Sequence, residues 1–391
     1  MTCNQWNINL MDSPIGSAEL KKDGSRQIAV LMSGGVDSSV TAYLLKEQGW
    51  DVIGVTMIIP VSCNAPDRVC CGADAAFVCD EIGIPHCLID VIEPFKKLII
   101  DNFAKSYANG ATPNPCADCN TLLKFSLVFD YIRDNLGIGY LATGHYARIS
   151  RIDNKVFLGR AKDKTKDQSY FLYGISSDRL EKVYFPLGEY TKEEVRNIAS
   201  ELKLTVAEKS ESMELCFAGQ GDYRAVLDCV EIDKPGDIID MQGNKIATHK
   251  GIANYTLGQR QGIGFAGGKP LYVAKIDAST NTIALGTRED ISSNIIQAKD
   301  VNILIPEDFV AGKNLWGKIR SYGEPRPCVT HNVAWASSPC MQSQYSHFTT
   351  HGTHNKTLKV EFDEPQFAPC PGQKMVLYNS EDNIVAGGTI V

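Results

Sequence analysis

Short apolar runs alternate with helix-like segments over the first half of the chain. The predicted strands are residues 28–32, 52–57, 86–89 and 140–143. The predicted helices, with apolar residues three and four positions apart, are residues 37–48, 73–82, 94–107 and 120–135. This alternation predicts an open parallel α/β sheet with helices on its faces, beginning at residue 27.

The pattern changes after one further helix, predicted at 191–202. Thr191 and Glu194 have the spacing of a capping box at its start. Residues 209–266 are rich in glycine and turn signals, so we expect irregular structure there. After residue 270 the apolar runs alternate as in antiparallel strands, which predicts a small β-barrel or sandwich at the C-terminal end. The runs concerned are 271–276, 282–285, 357–362 and 374–378.

Composition limits the cellular setting. The chain is 43% hydrophobic and 22% charged, an ordinary globular composition. Its 391 residues are too many for one compact core, so we expect two or three domains. A net charge of −7 disfavours non-specific coating of nucleic acid, although a local basic face is compatible with it. The 13 cysteines are odd in number and follow no apolar signal segment, and no apolar run approaches the ~20 residues of a membrane span. We therefore expect a reducing, cytoplasmic protein that does not enter membranes.

A phosphate-binding loop is predicted at residues 33–39, which read SGGVDSS between the first strand and the first helix. Gly34 and Gly35 allow backbone N–H groups to approach phosphate closely, and the helix N-terminus adds a positive field. The hydroxyls of Ser33, Ser38 and Ser39 add donors. No lysine follows the glycines, so this is not a Walker loop. The alternative is a plain strand–turn–helix connection.

This loop resembles that of the PP-loop ATP pyrophosphatases, which cleave ATP to AMP and pyrophosphate. The resemblance implies that Asp37 helps to hold the magnesium-pyrophosphate end of ATP. Thiolating enzymes, amidating synthetases and lysidine synthetase share the loop, so it indicates ATP chemistry without fixing the substrate.

Two cysteines are candidates for sulfur chemistry. Cys119 follows Pro113 and Pro115, which are expected to hold a rigid extended loop, and it precedes the helix predicted from Asn120. A helix N-terminus lowers a thiol pKa, so Cys119 is placed to be a thiolate. Cys216 stands alone in the irregular segment, where a cysteine by itself is more often a small buried hydrophobe.

Several longer motifs occur in a defined order between residue 27 and the C-terminal end: SGGVDSS, TPNPCADCN, ATGHYARI, KDQSYFLYGI, LCFAG, YTLGQRQGIG and PGQKMVLY. On these motifs the chain resembles the tRNA-specific 2-thiouridylase family, which modifies the first anticodon uridine of glutamate, glutamine and lysine tRNAs. The resemblance implies a PP-loop domain at 27–215, a small irregular α/β linker domain at 216–290 and an antiparallel β-barrel at 291–391. Residues 1–26 are expected to be a mobile tail.

The same resemblance implies ATP and Mg²⁺ as cofactors and assigns site residues. The expected ATP-binding residues are Leu31, Met32, Ser33, Gly34, Gly35, Val36, Asp37, Ser38, Met57 and Gly144. The residues expected to contact the flipped base or the tRNA are Asn114, Pro115, Cys116, His145, Lys166, Asp167, Gln168, Arg320 and Gln373. Cys216 resembles the family's persulfide carrier and Cys119 the partner that forms a disulfide with it. A cysteine desulfurase or a sulfur-relay protein is implied as the donor.

The sequence departs from the family at Cys116, where many relatives carry aspartate. With Cys119 and Cys216 it offers three thiolates, enough for a 4Fe-4S cluster with one open iron, which is a rival mechanism. Ser321 also follows Arg320 where relatives usually have an aromatic residue. A small-molecule PP-loop synthetase and a tRNA-binding protein without ATP turnover remain alternative functions.

One group of histidines and one group of cysteines could in principle bind metal, but we predict no catalytic role for either. The polar segment 337–355 contains His347, His351 and His354, and we expect a solvated loop rather than a metal site. The cysteines near the second strand do not have zinc-ligand spacing and are expected to be packing or incidental thiols; they are Cys63, Cys70, Cys71 and Cys79.

Overall fold

The computed structural model describes residues 6, 8–12, 26–60, 71–210, 215–218, 226–227, 234–265, 268–331 and 357–391. Cys63, Cys70, the histidine-rich segment 337–355 and most of the expected tail lie outside these residues. The chain forms two compact units. The first contains residues 1–99, 118–222 and 382–384, and the second contains 100–117, 223–381 and 385–391. Within the described ranges, no helix combines the length and the apolar character that crossing a membrane requires.

A six-stranded sheet in the order β1-β4-β3-β2-β5-β8 lies at the centre of the first unit. Its strands are β1 Asn9–Asp12, β2 Gln27–Leu31, β3 Asp51–Ile58, β4 His86–Asp90, β5 Leu141–Thr143 and β8 Val183–Tyr184. All neighbours pair in parallel except β1, which is antiparallel to β4. In the central strand Ile28, Ala29 and Val30 are completely buried, as expected for a parallel strand covered on both faces. The predicted parallel α/β sheet is confirmed.

The helices follow the sheet strands closely. They are α1 Val36–Glu47, α2 Cys71–Ile82, α3 Ile92–Phe95, α4 Asp101–Ala108, α5 Pro115–Asp118, α6 Phe129–Leu136, α7 Ser177–Leu180 and α8 Lys192–Glu201. Short 3-10 turns occur at Ser169–Leu172, Pro186–Glu189 and Ile252–Asn254. Two π-helical segments make longer helices continuous: Lys96–Ile100 joins α3 to α4, and Cys119–Val128 joins α5 to α6. Such segments are rare and often occur at functional sites.

The remaining strands form a hairpin, a small sheet and a barrel. The hairpin is β6 Ala147–Ile152 with β7 Lys155–Arg160. The sheet, in the order β10-β9-β12-β11, contains β9 Gly236–Ile239, β10 Lys245–His249, β11 Tyr272–Asp277 and β12 Thr282–Gly286. The closed barrel contains β13 Ser292–Ile303, β14 Asn314–Lys318, β15 Arg326–His331, β16 Leu358–Phe367, β17 Lys374–Tyr378 and β18 Ile384–Ile390. The predicted C-terminal β-barrel is confirmed.

Two local features differ from the sequence-based expectation. Residues 9–12, expected in the tail, form an edge strand whose backbone pairs with residues 87–90. The helix expected from Asn120 begins at Pro115, one turn earlier. Asn114 Oδ1 accepts the Ala117 N–H at 3.1 Å and Pro115 takes the first helical position, a favoured combination for starting a helix. Cys116 therefore lies in the first turn, and Cys119 lies one turn further in.

Candidate active site

The loop between β2 and α1 is held in a shape that only glycine permits at position 34. Gly34 has φ +67°, and a Cβ atom there would lie 2.8 Å from the Asp74 Cβ atom. The Lys209 ammonium donates to the Gly34 carbonyl at 2.8 Å and to the Asp74 carboxylate at 2.6 Å. Because the C=O and N–H of a trans peptide point in opposite directions, the Gly35 N–H points away from Lys209. The loop is thus positioned by a lysine from a distant segment.

The serines of the loop divide into different roles. The Ser39 hydroxyl is completely buried and donates to the Gly35 carbonyl at 2.8 Å, so it shapes the loop. The Ser38 hydroxyl donates to the same carbonyl at 3.1 Å and lies 3.2 Å from the Ser33 hydroxyl. Ser33 is exposed. Of the three hydroxyls, that of Ser33 is therefore the best placed to meet a ligand.

Asp37, in the first turn of α1, is the centre of a polar network. Both of its carboxylate oxygens accept from the Lys192 ammonium, at 2.7 and 2.8 Å. The Tyr146 hydroxyl donates to Oδ1 at 2.8 Å. Neither Lys192 nor Tyr146 was identified from the sequence as a site residue, because Lys192 lies 155 positions from Asp37 and Tyr146 lies 109.

The other expected nucleotide-binding residues lie around the same loop. A Cβ atom at Gly144 would come within 2.8 Å of the Asp37 carbonyl carbon and the Ser38 nitrogen, so close backbone approach requires glycine there. Met57 is half-buried near the end of β3. The remaining members have buried side chains, so we expect them to act through backbone groups; they are Leu31, Met32 and Val36.

His145, directly after Gly144, has a neutral imidazole. Burial, with the nearby Lys124 charge as a smaller cause, holds the pKa of His145 well below 6.5. Its Nδ1 atom lies 2.6 Å from the Thr143 hydroxyl. The ring packs between Phe125 and Phe185, with centroids 6.1 and 6.0 Å away. His145 can therefore offer a hydrogen bond or a ring face, but no positive charge near neutral pH.

The expected tRNA-contacting trio 166–168 is partly committed to internal bonds. The Asp167 carboxylate accepts from the backbone N–H of Ala161 at 3.1 Å and from the Ser169 hydroxyl at 3.0 Å, and its side chain is 1% exposed. Gln168 Oε1 accepts the Tyr146 N–H at 2.9 Å, which supports the residue that contacts Asp37. Lys166 is half-buried. A direct tRNA contact by any of them stays a prediction.

In the second unit, Asn114 and Gln373 come together across 259 positions of sequence. The Asn114 amide lies 3.4 Å from Gln373 Oε1, and Gln373 Nε2 donates to the carbonyls of Thr112 and Pro113 at 3.1 and 3.2 Å. These bonds hold the turn before α5, whose Pro115 is buried and whose Cys116 is exposed. Two residues expected to contact RNA therefore belong to one structural feature.

The segments carrying Cys119 and Cys216 both lie beside α3 in the first unit. Cys119 is buried at the start of the π-helical segment, which packs against α3. Cys216 is exposed in a turn. The next residue, Phe217, is buried against Phe95 of α3, with a centroid distance of 5.9 Å. One short helix thus supports both cysteine-bearing segments.

Arg320 follows β14 in the second unit and is anchored at one end. Its Nη2 atom donates to the carbonyls of Phe367 and Ala368, both at 2.8 Å. The guanidinium carbon lies 5.4 Å from the Phe367 ring centroid. An arginine fixed in this way retains further N–H donors that can bind phosphate.

Comparison with known proteins identifies the family. Residues 26–220 match the model of the tRNA methyl transferase HUP domain, 224–287 that of the tRNA methyl transferase PRC-barrel domain, and 341–391 that of the Aminomethyltransferase beta-barrel domain. The tRNA-specific 2-thiouridylase MnmA of Carboxydothermus hydrogenoformans is 40% identical, covering 94% of this chain and 98% of that protein. The MnmA of Synechocystis sp. is 38% identical, covering 94% and 97%.

Among solved structures, the U34-tRNA thiolase NcsA from Methanococcus maripaludis with its [4Fe-4S] cluster is similar with a TM-score of 0.33 and 23% identity. The match covers 54% of this chain and 68% of that one, too partial to transfer a mechanism. The family assignment depends instead on the full-length relatives. By their identity over almost the whole chain, this protein belongs to the tRNA-specific 2-thiouridylase family.

Proposed function

We propose that the protein uses ATP to convert the wobble uridine of tRNA to 2-thiouridine, with AMP and pyrophosphate as the other products. The main support for this proposal is that the first unit contains both the predicted ATP-binding loop and the two candidate sulfur-transfer cysteines. It contains a glycine-rich loop with Asp37 at a helix start, and it contains both cysteine-bearing segments, which meet α3. Family membership supplies the reaction class.

The first step is adenylation of the base. The uracil C2 oxygen attacks the α-phosphorus of ATP, the bond to the bridging oxygen breaks, and pyrophosphate leaves. Backbone N–H groups of the loop and the start of α1 stabilise the phosphate charge. The C2 oxygen, a poor leaving group in uracil, can then depart as part of AMP.

The second step moves sulfur. The terminal sulfur of a persulfide on Cys216 attacks C2, and the C2–O bond breaks to release AMP. The Cys119 thiolate then attacks the Cys216 sulfur, so that the persulfide S–S bond breaks and leaves sulfur on C2. A Cys119–Cys216 disulfide forms, and an external thiol reductant returns both residues to thiols before a new persulfide is loaded.

Several protein groups are assigned to tRNA in this scheme. Asn114, Pro115 and Cys116 border the extruded base, and His145 contributes an uncharged contact. Lys166, Asp167, Gln168, Arg320 and Gln373 complete the predicted set. Glutamate, glutamine and lysine tRNAs are the proposed substrates. A cysteine desulfurase or relay protein supplies sulfur in the cytoplasm, where thiols stay reduced.

Asp37 is the residue of this site best suited to magnesium, since carboxylate oxygens are preferred Mg²⁺ ligands. The rival cofactor is an iron–sulfur cluster. Within the described parts of the chain, no group of three or more His, Cys, Asp or Glu side chains could hold a metal ion. The persulfide route needs no such group, and product that forms only with iron would instead support a cluster bound by Cys116, Cys119 and Cys216.

The test is formation of 2-thiouridine in unmodified glutamate tRNA incubated with ATP, magnesium and a sulfur donor. We expect Cys216→Ser and Cys119→Ser each to lower product by at least about 100-fold, since each removes a covalent step. Pyrophosphate release on the first turnover should persist in both variants because adenylation precedes sulfur transfer. Cys87→Ser, which changes a half-buried thiol of β4 that has no assigned role in sulfur transfer, is the matched control.

The alternative functions give different results in this assay. Pyrophosphate release with a free amino acid or nucleotide, but not with tRNA, would identify a small-molecule synthetase. Tight tRNA binding without pyrophosphate release would identify a binding protein. Full product from Cys216→Ser would contradict the persulfide route.

A further inference from the structure

The phosphate-binding loop contains no lysine, although ATP brings several negative charges to it. The structure brings ammonium groups to the loop from elsewhere. Lys192 contacts Asp37 and Lys209 contacts Gly34. The two lysines differ in the carboxylate with which each ammonium group is paired.

Lys209 is a positioning group whose charge has its own partner. Its ammonium lies 2.6 Å from the Asp74 carboxylate, which belongs to α2 and not to the loop. Both side chains are substantially exposed, at 44% and 37%. A nucleotide bound at the loop would not compete for Asp74, so the Lys209–Asp74 ion pair would stay formed.

Lys192 is in a different position, because its partner is the loop carboxylate itself. Its side chain is only 12% exposed, and its ammonium is bonded to both oxygens of Asp37. Asp37 is also the group to which magnesium would bind. A cation bound to Asp37 would compete with the lysine and leave its ammonium beside the phosphates.

The backbone of Lys192 is fixed, so the ammonium remains within reach. Lys192 is the first residue of α8, and its N–H donates to Asp163 at 3.1 Å. The capping box of Thr191 and Glu194 closes the same helix end, with bonds of 3.2 and 2.6 Å. A lysine stem of four carbons attached to this rigid point allows the charged end to turn while the backbone stays in place.

Resting on the proposed function, we infer that Lys192 supplies the cation which the loop lacks. It neutralises Asp37 before the nucleotide binds and contacts the β- and γ-phosphates of ATP afterwards. In that position it stabilises the negative charge that develops on pyrophosphate as the bond to the α-phosphorus breaks. The residue discriminates ATP from AMP because only ATP carries those phosphates.

The test compares the dissociation constants of magnesium-ATP and AMP, measured by titration calorimetry on the full chain. Lys192→Met should weaken ATP binding by about 10- to 100-fold, the range of a charge-assisted hydrogen bond, and change AMP binding less than about twofold. If the methionine variant folds poorly, Lys192→Gln replaces it in the test, because glutamine keeps an N–H donor for Asp37. It should likewise weaken ATP binding and leave AMP binding nearly unchanged. Lys162→Met is the matched control, because Lys162 pairs with Glu194 at the start of α8 and is about half exposed.

Equal loss of ATP and AMP binding in the Lys192 variants would mean a structural role and would overturn the inference. So would unchanged ATP affinity. If the wild-type protein releases no pyrophosphate with tRNA yet the ATP-specific loss is seen, the thiolation proposal fails and the role of Lys192 stands. If thiolation occurs and the loss is absent, the inference alone fails.

Discussion

Buried side chains of β3 and β4 hold the backbone just before the phosphate-binding loop, and His86 is the clearest case. The Thr56 hydroxyl donates to the Met32 carbonyl at 3.0 Å, directly before the loop. Since that hydroxyl has one proton, the His86 Nε2–H must be the donor in the 2.9 Å bond to Thr56. His86 is 3% exposed, and burial lowers its pKa from 6.5 to about 4.

This shift predicts a pH-dependent stability. Between pH 6.5 and 4 the unfolded chain binds a proton at His86 that the folded chain does not. Burying the neutral imidazole of His86 therefore costs no stability above pH 6.5. As the pH falls from 6.5 toward 4, the free energy of unfolding decreases by about 1.4 kcal/mol per pH unit, on the order of 3 kcal/mol in all. Urea denaturation of wild type and His86→Gln at pH 7.5 and 4.5 measures it. The variant should lose less stability than wild type on acidification, and equal losses would refute the assignment.

At the scale of elements, the start of α5 joins distant sequence segments. Asn114 Oδ1 caps the helix while its amide group faces Gln373. In the sequence alone, Pro113 and Pro115 predict an extended loop. A proline at the first helical position equally suits a helix start, and only the cap bond to Ala117 distinguishes the two interpretations.

The two functions of the Asn114 side chain can be separated by substitution. Asn114→Ala removes the cap and should lower the free energy of unfolding by about 1–2 kcal/mol. Asn114→Asp keeps the capping oxygen and loses only the amide donor, so most of the stability should remain. Urea denaturation at neutral pH tests this prediction. Equal destabilisation of both variants would show that the cap is not the main contribution.

At the scale of the whole molecule, local motifs were predictable and long-range partners were not. The glycine and serine loop, the central parallel strands and the barrel strands each leave a pattern within a few neighbouring residues. The bond from Lys192 to Asp37 leaves none, because any surface-type lysine after a capping threonine looks the same in sequence. Likewise, residues 9–12 are too few to predict a strand, and their pairing with β4 depends on an edge that only the fold creates.

In the proposed mechanism, Cys216 delivers sulfur to an adenylated base in the first unit, and Cys119 then forms a disulfide with Cys216. The most direct measurement is peptide mass spectrometry without reductant, after a single turnover of persulfide-loaded protein with ATP and tRNA. We expect a Cys119–Cys216 disulfide-linked peptide that appears with 2-thiouridine and is absent when ATP is omitted. Full formation of 2-thiouridine without that linked peptide, or only in the presence of iron, would contradict this mechanism.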